Sequence, residues 1–516
     1  APPPWLHVSS MHTSPLMHLP HVLQVSIILT RNTIGRLRPC EHLLARFRAA
    51  VPAGIRQRST FVGLREAPKQ AATGPKAVPS LSTLAAALRL DKLNSSSQRV
   101  PQLAAPKSAV VEEMLRQVAE GAEEPFYVVD IGAALDRLSL WRELLPEVEP
   151  FYAVKCCPDP SLLYALAQAG MGFDCASKGE MEQMFQLGVG PERILYANPC
   201  KQPSHLKYAA RQRVPLAVVD SEDELRKHAE LYPEGEVLVR IAVDDSQAQC
   251  VMSCKYGAPM ASTGRLLRRA IELGVRVRGV SFHAGSGCYS AQSFVDAVDR
   301  GSAVFDEAAL LGLKLDILDI GGGFPGSDDG KLSFTDIAVP LRHALHRQFP
   351  ASRGVRLIAE PGRFIAEQTH TLAVNIIGKK VVQPAEGGDG STMYFVNDGL
   401  YGSFNSVLYD HASPTAELLA PGTAATDDLL PASIWGPTCD GLDCVVKETR
   451  LPDMQVGSWL FFERMGAYTA AAGSNFNGMP LPEKVYLHAV DSSDDDAGAA
   501  VSYYESGEHV RMAAAA

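Results

Sequence analysis

Short apolar runs alternate with amphipathic stretches through the middle of this 516-residue chain. Eight of the runs read as buried strands: Phe151–Val154, Gly172–Ala176, Ile194–Asn198, Leu216–Asp220, Val237–Ala242, Val277–His283, Leu315–Ile320 and Leu357–Glu360. Helical periodicity marks Leu162–Gln168, Glu180–Leu187, Glu222–Leu231, Leu266–Leu273, Ala291–Leu311 and Ile337–Gln348 between them. Repeated strand–helix units predict a (β/α)8 barrel, with an open doubly wound sheet as the structural rival. The polar positions separate the two. Lys155, Asp174, Asn198, Arg240, His283, Gly321–Gly323 and Glu360 each fall at or just past the C-terminal end of an expected strand. In a barrel those ends converge on one rim, whereas an open sheet strings them along a line, so the pattern favours the barrel.

The alternation stops after Ala366. Thr371–Ile377, Met393–Val396, Trp459–Phe462 and Val485–Ala489 read as strands of a second, all-β, Greek-key-like domain. Pro384–Ser391, Ser413–Asp428 and Asp491–Gly498 read as mobile insertions. Before the barrel, a helical pattern over Val110–Glu120 leads to a strand, Pro125–Val129, that is expected to join the β domain. The division is then an extension over 1–95, a segment over 96–130 that contributes to the β domain, a barrel over 131–366 and the β domain over 367–516. The chain opens on Ala1, as a fragment, a processed form or an incomplete gene model would. Residues 1–75 are rich in Arg and hold two acids, Glu41 and Glu66, a composition like an organellar transit peptide and equally like a plain extension. A cytoplasmic location is the simplest expectation, with plastid or mitochondrion as the alternatives that this segment raises.

A net charge of −10 argues against a nucleic-acid partner. The ten cysteines match no zinc spacing, so no metal is expected, and they fit a reducing compartment. No apolar run approaches the ~20 residues of a membrane span; the best is Val22–Leu29.

Candidate chemistry begins at Lys155, on the end of a buried aromatic strand. Partial loss of hydration there lowers a lysine's pKa and frees the amine to attack a carbonyl. Taken alone, the residue reads better as a lysine that snorkels out of the core. The seventh strand ends in Gly321-Gly-Gly323, which formally completes a G-x-G-x-x-G pattern, but Pro325 and Ser327-Asp-Asp-Gly330 continue as loop where a dinucleotide site needs a helix. Three glycines there instead let a backbone approach an anion, as phosphate sites in barrels do after strands seven and eight. The eighth strand supplies Glu360-Pro-Gly362-Arg363. Arg363 can fork onto phosphate oxygens, and an acid beside an anion site makes sense when it faces a cation. An imine-forming lysine, a phosphate cradle and a carboxylate for a protonated pyridine are together the requirements of pyridoxal phosphate. His283 is placed to stack on that ring and Ser286 to donate to the phosphate. Asp174 can steer the Lys155 amine and Arg240 the ring's hydroxyl side; a structural ion pair is the alternative for both. In the β domain, Trp435-Gly-Pro-Thr-Cys439-Asp440-Gly-Leu-Asp443 sets an acid beside a thiol, and Tyr401-Gly-Ser-Phe-Asn-Ser-Val-Leu-Tyr-Asp410 adds another. Two carboxylates suit a second ammonium on a substrate, and Cys439 suits a proton donor.

With these motifs in view, roughly Pro101 to Gly478 resembles the eukaryotic ornithine decarboxylase family, pyridoxal phosphate enzymes of the alanine-racemase-like barrel group. The residues that carry the resemblance are Phe-Tyr-Ala-Val-Lys155-Cys, Gly172-Phe-Asp-Cys-Ala-Ser177, His283-Ala-Gly-Ser286, Asp319-Ile-Gly-Gly-Gly323, Glu360-Pro-Gly-Arg363, Tyr401-Gly-Ser-Phe-Asn405, Trp435 to Asp443 and Gly466-Ala-Tyr-Thr469. The resemblance implies that Lys155 holds the cofactor as an imine, Glu360 pairs with the pyridine nitrogen and His283 stacks on the ring. Ser286, Gly321, Gly322, Gly323, Gly362, Arg363 and Tyr468 bind the phosphate end, and Asp174 and Arg240 support the imine face. It implies a head-to-tail homodimer in which Cys439 of one chain protonates Cα in the site of the other. Asp410 and Asp440 then take the distal amine of L-ornithine, Tyr401 and Phe476 line its pocket, and Lys255 meets Asp443 across the interface. The implied reaction releases CO2 and putrescine, the first step of polyamine biosynthesis. Diaminopimelate or lysine decarboxylase is the near rival in the same fold. A non-catalytic, antizyme-inhibitor-like regulator is the rival from another class, but such relatives lose cofactor or proton-donor positions that are intact here. The long degradation tail of the animal enzymes is not evident, so antizyme-driven turnover does not follow from the resemblance.

Overall fold

A computed structural model describes residues 103–328, 332–383, 390–420 and 428–487. The extension expected over 1–95, most of Pro384–Ser391, part of Ser413–Asp428 and the segment Asp491–Gly498 lie outside the described residues. Helix Lys107–Ala119 (α1) leads to strand Phe126–Asp130 (β1) and helix Ile131–Leu144 (α2). Then come Val148–Ala153 (β2), helix Pro160–Gln168 (α3), Gly172–Cys175 (β3), Ile194–Tyr196 (β4), Leu216–Val219 (β5) and Glu236–Arg240 (β6). After a short strand Ala248–Cys250 (β7) follow Arg276–Ser281 (β8), a second short strand Ser286–Cys288 (β9), Ile317–Asp319 (β10) and Arg356–Ala359 (β11).

Strands β2, β3, β4, β5, β6, β8, β10 and β11 pair in that order, all parallel, and β11 closes onto β2. The barrel is therefore closed, and the open-sheet alternative is excluded. Phe151, Leu195, Leu216, Val218, Leu238, Ile317 and Ile358 pack together as one cluster. Ala217, Val219, Val237 and Val239 alternate with them into the layer shared with the helices. Two-residue periodicity thus fills both faces of each strand with apolar side chains, which is why these strands read as continuous hydrophobic runs. Strand ends fall one to two residues short of the expected ones.

The second sheet is built from His370–Val382 (β12), Ser391–Val396 (β13), Glu417–Leu418 (β14), Leu430–Trp435 (β15), Cys444–Leu451 (β16), Trp459–Phe462 (β17) and Glu483–Leu487 (β18), together with β1. Strand β1 lies between β12, antiparallel, and β18, parallel. Its side chains alternate: Phe126 and Val128 pack with Met114 of α1, whereas Tyr127 and Val129 join the main core. Strands β15 and β16 form an antiparallel hairpin missing from the sequence reading, and the Cys439 loop is its connection. Helix Pro203–Gln212 and the antiparallel pair β7–β9 are also absent from that reading. Among the described residues, no helix is long and apolar enough to cross a membrane.

Candidate active site

Strand β2 stops at Ala153, and Val154–Cys156 forms a single 3-10 turn before Asp159 caps α3. Lys155 sits inside that turn, over the C-terminal rim of the barrel. Its Nζ donates to Asp174 of β3 in a short ion pair. Burial alone lowers the ammonium's pKa, but the carboxylates of Asp174 and Glu360 outweigh it and raise the value instead. This corrects the expectation of a lysine depressed by dehydration: the turn removes water but supplies two counter-charges. Asp174 has a further role to fill, since its Oδ1 is buried without a partner among the described residues.

Glu360 follows β11, and Asp319 ends the neighbouring β10. Asp319 accepts from Ser281 Oγ at 2.9 Å and from Gly321 N at 2.9 Å. Burial pushes its carboxyl up to about 6. Burial, with the charges of Asp319 and Asp174, raises Glu360 well above the usual carboxylate range. The ionised form of Glu360 is thus disfavoured beside Asp319. His283, two residues past β8, is buried and accepts at Nδ1 from Gly285 N at 3.1 Å, which leaves the ring proton on Nε2. Burial, Arg240 and Lys155 hold this imidazole neutral. Arg240 ends β6 and stacks over the Tyr256 ring at 5.2 Å.

The anion side is assembled beside this well. Arg363 is buried, and its Nε and Nη2 donate to Ser286 Oγ at 3.3 and 3.2 Å. Its guanidinium also pairs with Asp410 and with Glu367, the latter at 3.4 Å. The Tyr468 ring lies 5.3 Å from that guanidinium, and the Tyr468 N–H donates to Cys156 O at 2.9 Å. Glycine is required along the cradle: a Cβ at Gly322 would stand 2.6 Å from Glu360 O and 2.9 Å from His283 Nε2. Gly323 has a φ of +116°, which other residues avoid.

A second cluster lies on the β15–β16 connection. Cys439 is exposed, with Asn477 Oδ1 accepting from its N and Sγ at 3.3 and 3.4 Å. Tyr401 donates its hydroxyl to Asp440 and stacks on Phe476 at 4.3 Å between ring centres. Among the described residues, no hydrogen bond or ion pair joins this cluster to Lys155 and its neighbours. Asp443 is buried and accepts from Leu400 N at 2.7 Å, Thr438 N at 3.1 Å and Thr438 Oγ1 at 2.6 Å. Lys255, expected to meet Asp443 of another copy, is exposed with its Nζ over the Tyr256 ring.

The sequence reading gave no role to Asp319, Glu367, Cys250 or Asn477. Cys250 Sγ donates to Asp410 Oδ1 at 3.2 Å. Asp319, a polar residue ending an apolar strand on the barrel rim, carried a usable signal; Cys250 and Asn477 reach the site through the β7–β9 pair and a loop and carried none. Among the described residues, no group of His, Cys, Asp and Glu is arranged to hold a metal.

These features fit pyridoxal phosphate. The orphaned Asp174 oxygen and the buried Glu360 carboxyl suit a cationic ring, and Arg363, Ser286 and the glycine turn suit a phosphate. Residues 132–367 match the family model for the pyridoxal-dependent decarboxylase, pyridoxal binding domain. Ornithine decarboxylase of Mus musculus is 48% identical over 387 residues, covering 73% of this chain and 84% of the relative. Antizyme inhibitor 2 of Xenopus laevis is 46% identical over 376 residues, covering 72% and 82%. The crystal structure of Paramecium bursaria Chlorella virus arginine decarboxylase bound to agmatine superposes with a TM-score of 0.69 at 35% identity, over 73% of this chain and 99% of that one. The chain belongs to the ornithine decarboxylase family, the pyridoxal phosphate-dependent decarboxylases that join a (β/α)8 barrel to a β-sheet domain.

Proposed function

We propose that the protein is a homodimeric ornithine decarboxylase that converts L-ornithine to putrescine and CO2. The observation that carries this reading is the separation, within one chain, of a buried well around Lys155 from the exposed Cys439–Asp440 loop. Two copies facing head to tail would bring the two halves together. The supporting likeness is to curated ornithine decarboxylases, which are closer in sequence than the arginine decarboxylase.

Pyridoxal phosphate supplies an electron sink for the pair left at Cα when CO2 departs. Lys155 holds the cofactor's carbonyl carbon, with Asp174 orienting Nζ. Glu360 takes the charged form against the pyridine nitrogen, and Asp319, anchored by Ser281 and Gly321, fixes Glu360 in place. The neutral His283 ring offers a flat apolar face. Ser286, Arg363, Tyr468, Gly362 and the backbone of Gly321–Gly323 hold the phosphate. Asp410 of the same chain, paired here with Arg363, and Asp440 of the second copy bind the distal ammonium of the substrate, beside the second copy's Tyr401 and Phe476. Cys439 of the second copy returns a proton to Cα. Lysine, one methylene longer, is a slower substrate by about 1–3 kcal/mol in discrimination.

The test is purified protein with pyridoxal phosphate and, separately, ornithine, lysine, arginine or diaminopimelate, scoring CO2 and the amine released. Preferential turnover of ornithine is expected. A cofactor-loaded protein that leaves ornithine unchanged contradicts the assignment.

A further inference from the structure

The turn that carries Lys155 and the helix cap that follows it are held by the β domain at two points. At the first, Tyr468 N donates to Cys156 O at 2.9 Å. At the second, Asp159 is buried, and its Oδ1 caps α3 by accepting from Ser161 N and Leu162 N, both at 3.0 Å. Its Oδ2 accepts from Lys484 Nζ at 2.6 Å and from Tyr486 OH at 2.8 Å, both on β18.

This arrangement follows from strand periodicity. Lys484 and Tyr486 are two residues apart and so share one face of β18. Their ladder partners on β1 are Tyr127 and Val129, the residues that turn toward the main core and away from α1. His370 of β12, paired with Val129, reaches the same seam: its Nε2 is 4.0 Å from Cys157 Sγ, and its ring meets Tyr127 edge-on at 5.3 Å. Burial pushes the Asp159 carboxyl up, yet Lys484 and the other donors outweigh it and hold the group below its ordinary value.

Capping α3 needs one oxygen of Asp159. The other oxygen is used by a strand 325 residues away along the chain. Apolar residues would seal this seam with less desolvation, whereas charge-assisted hydrogen bonds fix distance and direction. We propose that Asp159, Lys484 and Tyr486 are positioning residues for Lys155: strand β18 sets the place of the turn, and with it the location of Nζ relative to Asp174 and Glu360. The proposal rests on the reading of Lys155 as the cofactor lysine.

The test uses the full-length holoenzyme carrying Lys484→Met, Lys484→Arg, Tyr486→Phe or Asp159→Asn. Displacement of the turn is expected to lower kcat by about 10- to 100-fold in Lys484→Met and Asp159→Asn, with KM for ornithine little changed. The pH midpoint of the visible absorbance band of the cofactor joined to Lys155 is expected to move in the same variants. Lys484→Arg is expected to restore both. Tyr486→Phe deletes one donor and keeps the ring, so it carries the test if the Met variant is not recovered folded, with a smaller shift of the same sign. Variants that melt earlier but keep the wild-type kcat and band midpoint overturn the proposal and leave a purely structural clamp. Failure of the functional reading looks different: the band and its titration persist in the wild type while ornithine is not consumed.

Discussion

Glu360 faces Asp319 in the buried well, and the disfavoured charge on Glu360 is the detail on which the electrostatics of the site turn. A cation beside Glu360 draws out its ionised form, and Asp319 then steadies it through Ser281 and Gly321. Glu360→Gln keeps the shape and removes that charge. A charge-assisted hydrogen bond to a buried cation contributes about 1.5–3 kcal/mol, so kcat for ornithine should fall about 10- to 100-fold, measured under cofactor saturation. An unchanged kcat would show that Glu360 does not face the cation. At this scale the sequence was informative about identity and poor about charge. Lys155, Asp174 and Glu360 announced themselves by falling at strand ends, and Arg363 by following Glu360 three residues on. The direction of the Lys155 shift did not, because its counter-charges come from β3 and from beyond β11, and the balance of burial against pairing needs distances.

The β15–β16 hairpin presents Cys439 and Asp440, and Asp443 is what shapes its loop. Three donors converge on that carboxylate, and a Cβ at Gly399 or Gly436 would stand 2.3 Å from its Oδ1. Asp443→Ala strands those donors in a buried loop. Unfolding stability is expected to drop by about 2–4 kcal/mol, and activity to fall further than cofactor binding does. A variant that binds cofactor and turns over normally would show the loop to be held by other contacts. The barrel strands were legible because burial on both faces writes them as uninterrupted apolar runs. The hairpin was not: β16 reads Cys-Val-Val-Lys-Glu-Thr-Arg-Leu, with one half buried and the other facing outward. Helix Pro203–Gln212, with only Leu206 and Ala209 buried, offered equally little signal.

At the scale of the whole molecule, pH stability is shaped by buried imidazoles. His228 lies in helix Glu222–Leu231 with neither ring nitrogen hydrogen-bonded among the described residues. Burial pushes its pKa down to about 4 from 6.5. The unfolded chain therefore takes up a proton that the folded one refuses, and stability falls by about 1.4 kcal/mol per pH unit as pH drops from about 6.5 to about 4. Raised carboxyls such as Asp398, pushed up to about 6 by burial, act in the opposite sense, so the wild-type curve alone mixes the two. The difference between wild type and His228→Leu isolates the imidazole: denaturant unfolding across that range should show a slope shallower by about one proton in the variant. Parallel curves would mean that His228 is charged when folded.

Association is the other property of the whole molecule, and a site shared between two copies depends on it. Lys155→Ala and Cys439→Ala proteins should each be inactive on ornithine, the first for want of the cofactor lysine and the second for want of the proton donor. Mixed one to one and allowed to exchange subunits, random pairing leaves half of the dimers mixed, each with one intact site of two. The account predicts recovery of about a quarter of wild-type activity. No recovery after subunit exchange has been verified by mass would contradict a site shared between two copies.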